Sequence, residues 1–182
     1  MTTRTVSTSN KKIKAVLKAL SAFVSRDIAR LNLHRAWWVP EKRTFRATDG
    51  ASAISITVAP NTAAEWLPEG NGGSIDPDAS LKLLAAGMPL AIQSPAEYES
   101  PDLAQVTPGR TAQGPACWID PMLLGKRVAA IAALVKDFGE PMTMRMQTSD
   151  DRQPVRLDVE GKDLTIVALV MPLEAKIEEG EA

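Results

Sequence analysis

The sequence predicts an α+β fold built from two successive β-α-β-β-β units, and three observations carry that prediction. From Cys117 to Pro172 the pattern runs strand, helix, strand, strand, strand. The stretch from the N-terminus to Val58 gives the same order. Between the two copies, Ala59 to Gly114 differs in kind and is rich in Pro, Gly, Ser and Asn. The repeat is one of architecture, not of sequence.

The second unit is the clearer of the two. Cys117-Trp118-Ile119 has strand character, and Asp120-Pro121 supplies an N-cap followed by proline at the first helical position. Met122 to Phe138 then fits a helix, with Gly139 as its C-cap and Pro141 beyond. Its apolar stripe is Leu124, Val128, Ile131, Val135 and Phe138. Opposite lie Lys126, Ala129, Ala130, Ala133 and Lys136, with Arg127 on the flank. Met142, Met144 and Met146 alternate with Thr143, Arg145 and Gln147, the pattern of a half-buried strand, and Ser149-Asp150-Asp151 makes a turn. Val155, Leu157 and Val159 alternate with Arg156 and Asp158 up to a second turn, Glu160-Gly161-Lys162-Asp163. Leu164 to Val170 is a nearly continuous apolar, β-branched run. It stops at Met171-Pro172 because proline has no backbone N–H to give to a ladder.

In the first unit, Arg4 to Thr8 is a short strand, and Ser9 or Asn10 caps a helix. From Lys11 to Ser25 the apolar residues Ile13, Val16, Leu17, Leu20, Phe23 and Val24 keep helical spacing. Lys11, Lys14 and Lys18 fall on the opposite face, with Lys12 on its flank and no acid before Asp27. Taken alone, such a row is an ordinary solvated helix face. Ile28 to Val39 carries β-type residues up to a turn at Pro40-Glu41-Lys42, and Arg43 to Thr48 is the next strand. That strand breaks at Asp49-Gly50, and Ile54, Ile56 and Val58 alternate in the one after.

The middle segment is acidic. Up to Thr107 it holds Glu65, Glu69, Asp76, Asp78, Glu97, Glu99 and Asp102 against only Lys82. A structureless loop of this length is unusual inside a compact domain, so it is expected to carry structure of its own. Asp78 is a cap for a short helix through Leu81, Leu83 and Leu84 that ends at Gly87, and Met88 to Gln93 is a candidate strand. The domain division is thus residues 1–58, 59–114, 115–173 and a charged tail, 174–182.

Composition narrows the function classes. The chain has 182 residues, 45% of them hydrophobic, and a net charge of −1, so nothing global demands nucleic acid or membrane. One cysteine leaves no disulfide framework within the chain, and no signal-type or membrane-spanning run is present. Both fit a soluble, cytoplasmic protein. Residues for chemistry are sparse. His34 is the only histidine, which removes His-pair metal motifs. Cys117 lies in an apolar strand beside Trp118 and is better read as an inert buried thiol than as a nucleophile. Gly70 to Gly73 is not followed by the Lys-Ser/Thr helix start of a phosphate loop, and Asp150-Asp151 alone makes no metal site. Trp37 and Trp38, adjacent on a strand, point to opposite faces: one to the core, the other to a contact surface. The expectation is a non-enzymatic protein with no cofactor and no metal.

Specific text accompanies the architecture. Phe45-Arg46-Ala47-Thr48-Asp49-Gly50 resembles the "ATDG" turn of the domains of the bacterial DNA sliding clamp, the processivity ring of the replicative polymerase. Gln153-Pro154-Val155, the run Asp163 to Leu173 with its Met171-Pro172 pair, and Trp118 to Leu124 resemble the C-terminal domain of the same family. The resemblance implies a DNA-clamp fold, two helices packed on an outer antiparallel sheet. It also implies a single-domain homologue with an internal insertion, where clamp chains have several such domains. Helices that line the family's central hole face DNA phosphates without reading bases. This carries nonspecific duplex-DNA contact onto Lys11, Lys12, Lys14, Lys18, Lys126, Arg127 and Lys136. The family's peptide cleft, which receives polymerase and clamp-loader motifs, carries over onto Thr48 and Gly50 on one wall. The other wall is Leu169, Val170, Met171, Pro172 and Leu173. Ala51, Ser52 and Ala53 are smaller than the family's residues, so the cleft is expected to be shallow. By analogy with the family's interdomain cleft, its walls are expected to meet only across a subunit contact, on head-to-tail homo-oligomerisation. A clamp-fold interaction module that does not encircle DNA, and an unrelated α+β domain or enzyme, are the alternatives.

Overall fold

In the computed structural model, the structure describes residues 11–27, 33–62, 64–68, 72–90, 92–93, 103, 119–141, 143–148 and 153–172. The elements run α1 (Lys11–Ser21), β1 (Ala36–Val39), β2 (Thr44–Thr48), β3 (Ser52–Val58), β4 (Gly73–Ile75), α2 (Pro77–Ala85), α3 (Pro121–Phe138), β5 (Met144–Gln147), β6 (Val155–Glu160) and β7 (Leu164–Val170). The strands form one antiparallel sheet in the order β4-β1-β2-β3-β7-β6-β5. The two meanders, β1-β2-β3 and β5-β6-β7, join through β3 and β7. There Ile56 pairs with Ile166 and Ile54 with Ala168. The expected helix–strand–strand–strand order is therefore present twice. Two expected leading strands, Arg4 to Thr8 and Cys117 to Ile119, fall wholly or mostly outside the described residues, as do the cap at Ser9 or Asn10, Met142 and the turn at Ser149 to Asp151. Ile119 itself is not in a strand.

Alternation assigns the faces. Trp38, Phe45, Ile56, Ile166, Val159 and Met144 form one cross-strand row, and Ala36, Ala47, Ile54, Ala168 and Leu157 form the next. Both rows point into the single large core. The helices cover this face. On α1, Ile13, Val16, Leu17 and Leu20 are fully buried, as their spacing predicts, and Phe23 is buried in the turn that follows, because the helix stops at Ser21 and not at the expected Ser25. Ala15 and Ala19 are buried too, because α1 packs against α3 and also against α2. On α3 the stripe is shifted from the expected one. Ile131, Leu134, Val135 and Arg127 are buried, whereas Leu124, Val128 and Phe138 are only partly covered. Ala130, expected on the outer surface, packs against the core.

Local chemistry sets the boundaries. Asp120 caps α3 by accepting hydrogen bonds from the Met122 and Leu123 amides, and Gly139 ends it in the left-handed region. Asp76, not Asp78, caps α2: its carboxylate accepts from the Ala79 amide, and Pro77 takes the first helical position. Asp78 is instead hydrogen-bonded by the Ser21 hydroxyl of α1. Met88 to Gln93 is not a strand in the described residues. Gln93 makes a single antiparallel bridge to Ser74 of β4, a strand the sequence did not announce. Trp37 and Trp38 do face opposite sides, but both are buried, so Trp37 is not an exposed contact marker. On β5, Met144 is half-buried while Met146 is 59% exposed, because β5 lies at the margin of the described sheet. Among the described residues no helix is long and apolar enough to cross a membrane.

Candidate nucleic-acid interface and cleft surface

α1 and α3 lie side by side over the sheet and present their polar stripes away from it. With Ile13, Val16, Leu17 and Leu20 turned to the sheet, Lys11 and Lys18 are left exposed on α1 and Lys14 is half-buried. On α3 the exposed line is Met122, Lys126, Ala129, Ala133 and Lys136, a low-relief surface with two cations. Among the described residues Lys14, Lys18, Lys126 and Lys136 have no carboxylate partner. Lys11 Nζ lies 3.3 Å from Asp137 of α3, a pair tying the two helices together. Lys12 is drawn inward: its Nζ is 3.4 Å from Asp163 Oδ2 and 5.1 Å from the centre of the Phe138 ring.

Arg127 requires a correction. It is not on the outer flank of α3 but 3% exposed, with its guanidinium 4.9 Å over the Phe23 ring and Nη2 paired with Asp49 Oδ2. Burial pulls its pKa below the ordinary arginine value, and the Asp49 carboxylate opposes that shift. A buried cation cannot touch a phosphate on the helix surface. The sequence held a signal for this: Arg127 is four residues from both Leu123 and Ile131, which puts it on the buried stripe.

Asp49 connects this pair to the turn. Its Oδ1 accepts from the Ala51 amide (3.0 Å), the Ser52 amide (2.7 Å) and the Ser52 hydroxyl (3.0 Å). The Thr48 hydroxyl donates to the Ser52 carbonyl and accepts from the Gly50 amide, and Gly50 sits at φ 90°, a conformation that favours glycine. The turn is thus fixed from within by Thr48 and Asp49 and from below by Arg127.

The second wall lies beside the first in the same chain. β3 pairs with β7 so that Ser52 opposes Val170, and the Met171 amide donates to the Ala51 carbonyl at 2.9 Å. The expectation that the walls meet only across a subunit contact is therefore overturned, because antiparallel pairing brings the start of β3 to the end of β7. The wall residues are not equivalent. Val170 is fully buried and points into the core, so it cannot line a surface cleft. Leu169 and Thr48 face the outer side, Met171 is 42% exposed, and Pro172 is half-buried. Leu173 and Cys117 lie outside the described residues. His34 hydrogen-bonds the Asp27 carbonyl. No group of three metal-type side chains occurs among the described residues.

This arrangement, helices side by side on one antiparallel sheet, has counterparts in solved structures. The DNA polymerase sliding clamp from Bacillus subtilis matches with a TM-score of 0.61 at 12% identity, covering 88% of this chain and 62% of that one. The beta subunit from DNA polymerase of Streptococcus pyogenes matches at 0.64 and 12%, over 95% of this chain and 68% of that one. Proliferating Cellular Nuclear Antigen from Entamoeba histolytica matches at 0.50 and 10%, over 90% and 95%. The chain spans less than two thirds of the Bacillus subtilis clamp. No family model matches the sequence, and no curated protein matches it either. The chain has the sliding-clamp fold.

Proposed function

We propose that the protein is a cytoplasmic, non-enzymatic, sliding-clamp-type protein that associates with duplex DNA without reading its sequence and supports polymerase processivity as a homo-oligomer. The observation that supports this most is the shared outward face of α1 and α3, where Lys14, Lys18, Lys126 and Lys136 have no carboxylate partner among the described residues. Between them α3 offers only Ala129 and Ala133, so a phosphate backbone can approach closely. Such contacts position a duplex and release counterions, and they carry no base specificity. Arg127 has no part in this face, and Lys12 has a reduced one. The side-by-side helices on a continuous sheet argue against an unrelated α+β domain or enzyme. The test is a salt titration of duplex binding: about four phosphate contacts per copy give a slope of log K against log salt of about −3.6 for each copy engaged. Salt-independent binding, or none at low salt, moves the assignment to a clamp-fold interaction module. Polymerase or loader peptides are the partners expected at the surface formed by Thr48, Gly50, Leu169, Met171 and Pro172.

A further inference from the structure

Part of that surface is already covered within the chain. Ala53 on β3 and Leu169 on β7 oppose each other in register on the outer face of the sheet, the side away from the helices. Both are buried, at 5% and 4% exposure, although neither belongs to the main core. Among the described residues the side chain packed against them is Leu103, itself 8% exposed, and the three form a separate apolar cluster. Leu103 belongs to the segment between the two units, fifty residues along the chain from Ala53.

Size explains the fit. Ala53 is a methyl group on a strand position flanked by Thr48 in the ladder, which leaves a step beside the larger Leu169. A leucine laid on that step covers both. No other described residue joins this cluster, and Met171 next to the pair is already 42% exposed. The small residues after the turn therefore do not simply make the cleft shallow; they make room for this chain's own side chain.

We propose that Leu103 is a built-in occupant of the cleft surface, seated on Ala53 and Leu169, and that an extended peptide with a leucine-sized anchor binds there only by displacing it. The proposal rests on the reading of this surface as a peptide-binding wall. Displacement lowers the apparent affinity by the fraction of molecules in which the step is free.

The test uses the full chain with Cys117→Ser. One form carries cysteines in place of Ala53 and Leu103, and a second carries Leu103→Ala. A fluorescein-labelled extended peptide with a Leu-Leu pair is titrated against each form and against the parent. The expected result is a disulfide between positions 53 and 103 under mild oxidation and no peptide binding by that oxidised form. The Leu103→Ala form is expected to bind roughly tenfold more tightly than the parent. Failure of the pair to cross-link overturns the proposal whatever the peptide does. Cross-linking with equal affinity in all forms shows contact without exclusion and also overturns it. Cross-linking with no binding by any form sinks the peptide-wall reading, and the competition with it, while leaving the Leu103 contact standing.

Discussion

Asp49 and Arg127 share one ion pair but stand in different positions with respect to stability. The Asp49 carboxylate is satisfied three times by the turn before it meets Arg127, whereas the Arg127 Nε and Nη1 atoms have no partner among the described residues. Removing Asp49 strands a buried cation and frees the turn at once. Removing Arg127 takes out a costly charge and leaves a carboxylate that still has donors. Asp49→Ala is therefore expected to cost about 3–5 kcal/mol, and the similarly sized Arg127→Met to stay within about 1 kcal/mol of the parent, read from urea midpoints. Equal losses would show instead that the pair stabilises in proportion to its contacts. A second residue-scale prediction concerns Gly73. A Cβ built there clashes with the Gln93 carbonyl and meets Ile92 Cγ2 at 2.7 Å. Gly73→Ala is expected to break the Ser74–Gln93 bridge and lower stability by about 1–3 kcal/mol. Accelerated exchange of the Ser74 and Gln93 amides, with the β3 and β7 amides unchanged, is the signature to measure.

At the scale of elements, the two helix faces make separable predictions. Neutralising Lys14, Lys18, Lys126 and Lys136 together is expected to remove most of the salt dependence of duplex binding, on any sequence, with little change in folding. Neutralising Lys12 instead is expected to leave that slope nearly unchanged, because its amine is held by Asp163 and Phe138. An equal effect of the two sets would remove the geometric basis for the face. Periodicity revealed α1, the caps of α3 and the meanders, because each buries one face against one neighbour. It missed what depends on contacts across the chain. Arg127 keeps the spacing of the buried stripe, but a charge there is explained only by its contacts with Asp49 and the Phe23 ring. Leu103 and β4 gain their places from Ala53, Leu169 and β1, partners far away in sequence. Met146 has strand patterning but is exposed, since no helix among the described residues covers it.

At the scale of the whole molecule, the sheet order made the cleft legible in a way the family resemblance did not. Joining two meanders through β3 and β7 places the turn at Asp49-Gly50 and the strand end at Met171-Pro172 side by side within one chain. A single copy thus carries both parts of the surface, which does not depend on oligomerisation. On the proposed DNA-binding reading, the lysines of one copy would supply about four phosphate contacts, and a ring would multiply that salt-sensitive hold without needing new chemistry. The most direct test of clamp action is the native mass at moderate salt, measured with and without duplex DNA. The expected result is a ring-sized homo-oligomer that shifts in mass with duplex, the shift being lost when Lys14, Lys18, Lys126 and Lys136 are neutralised. A monomer or simple dimer indifferent to DNA would contradict it.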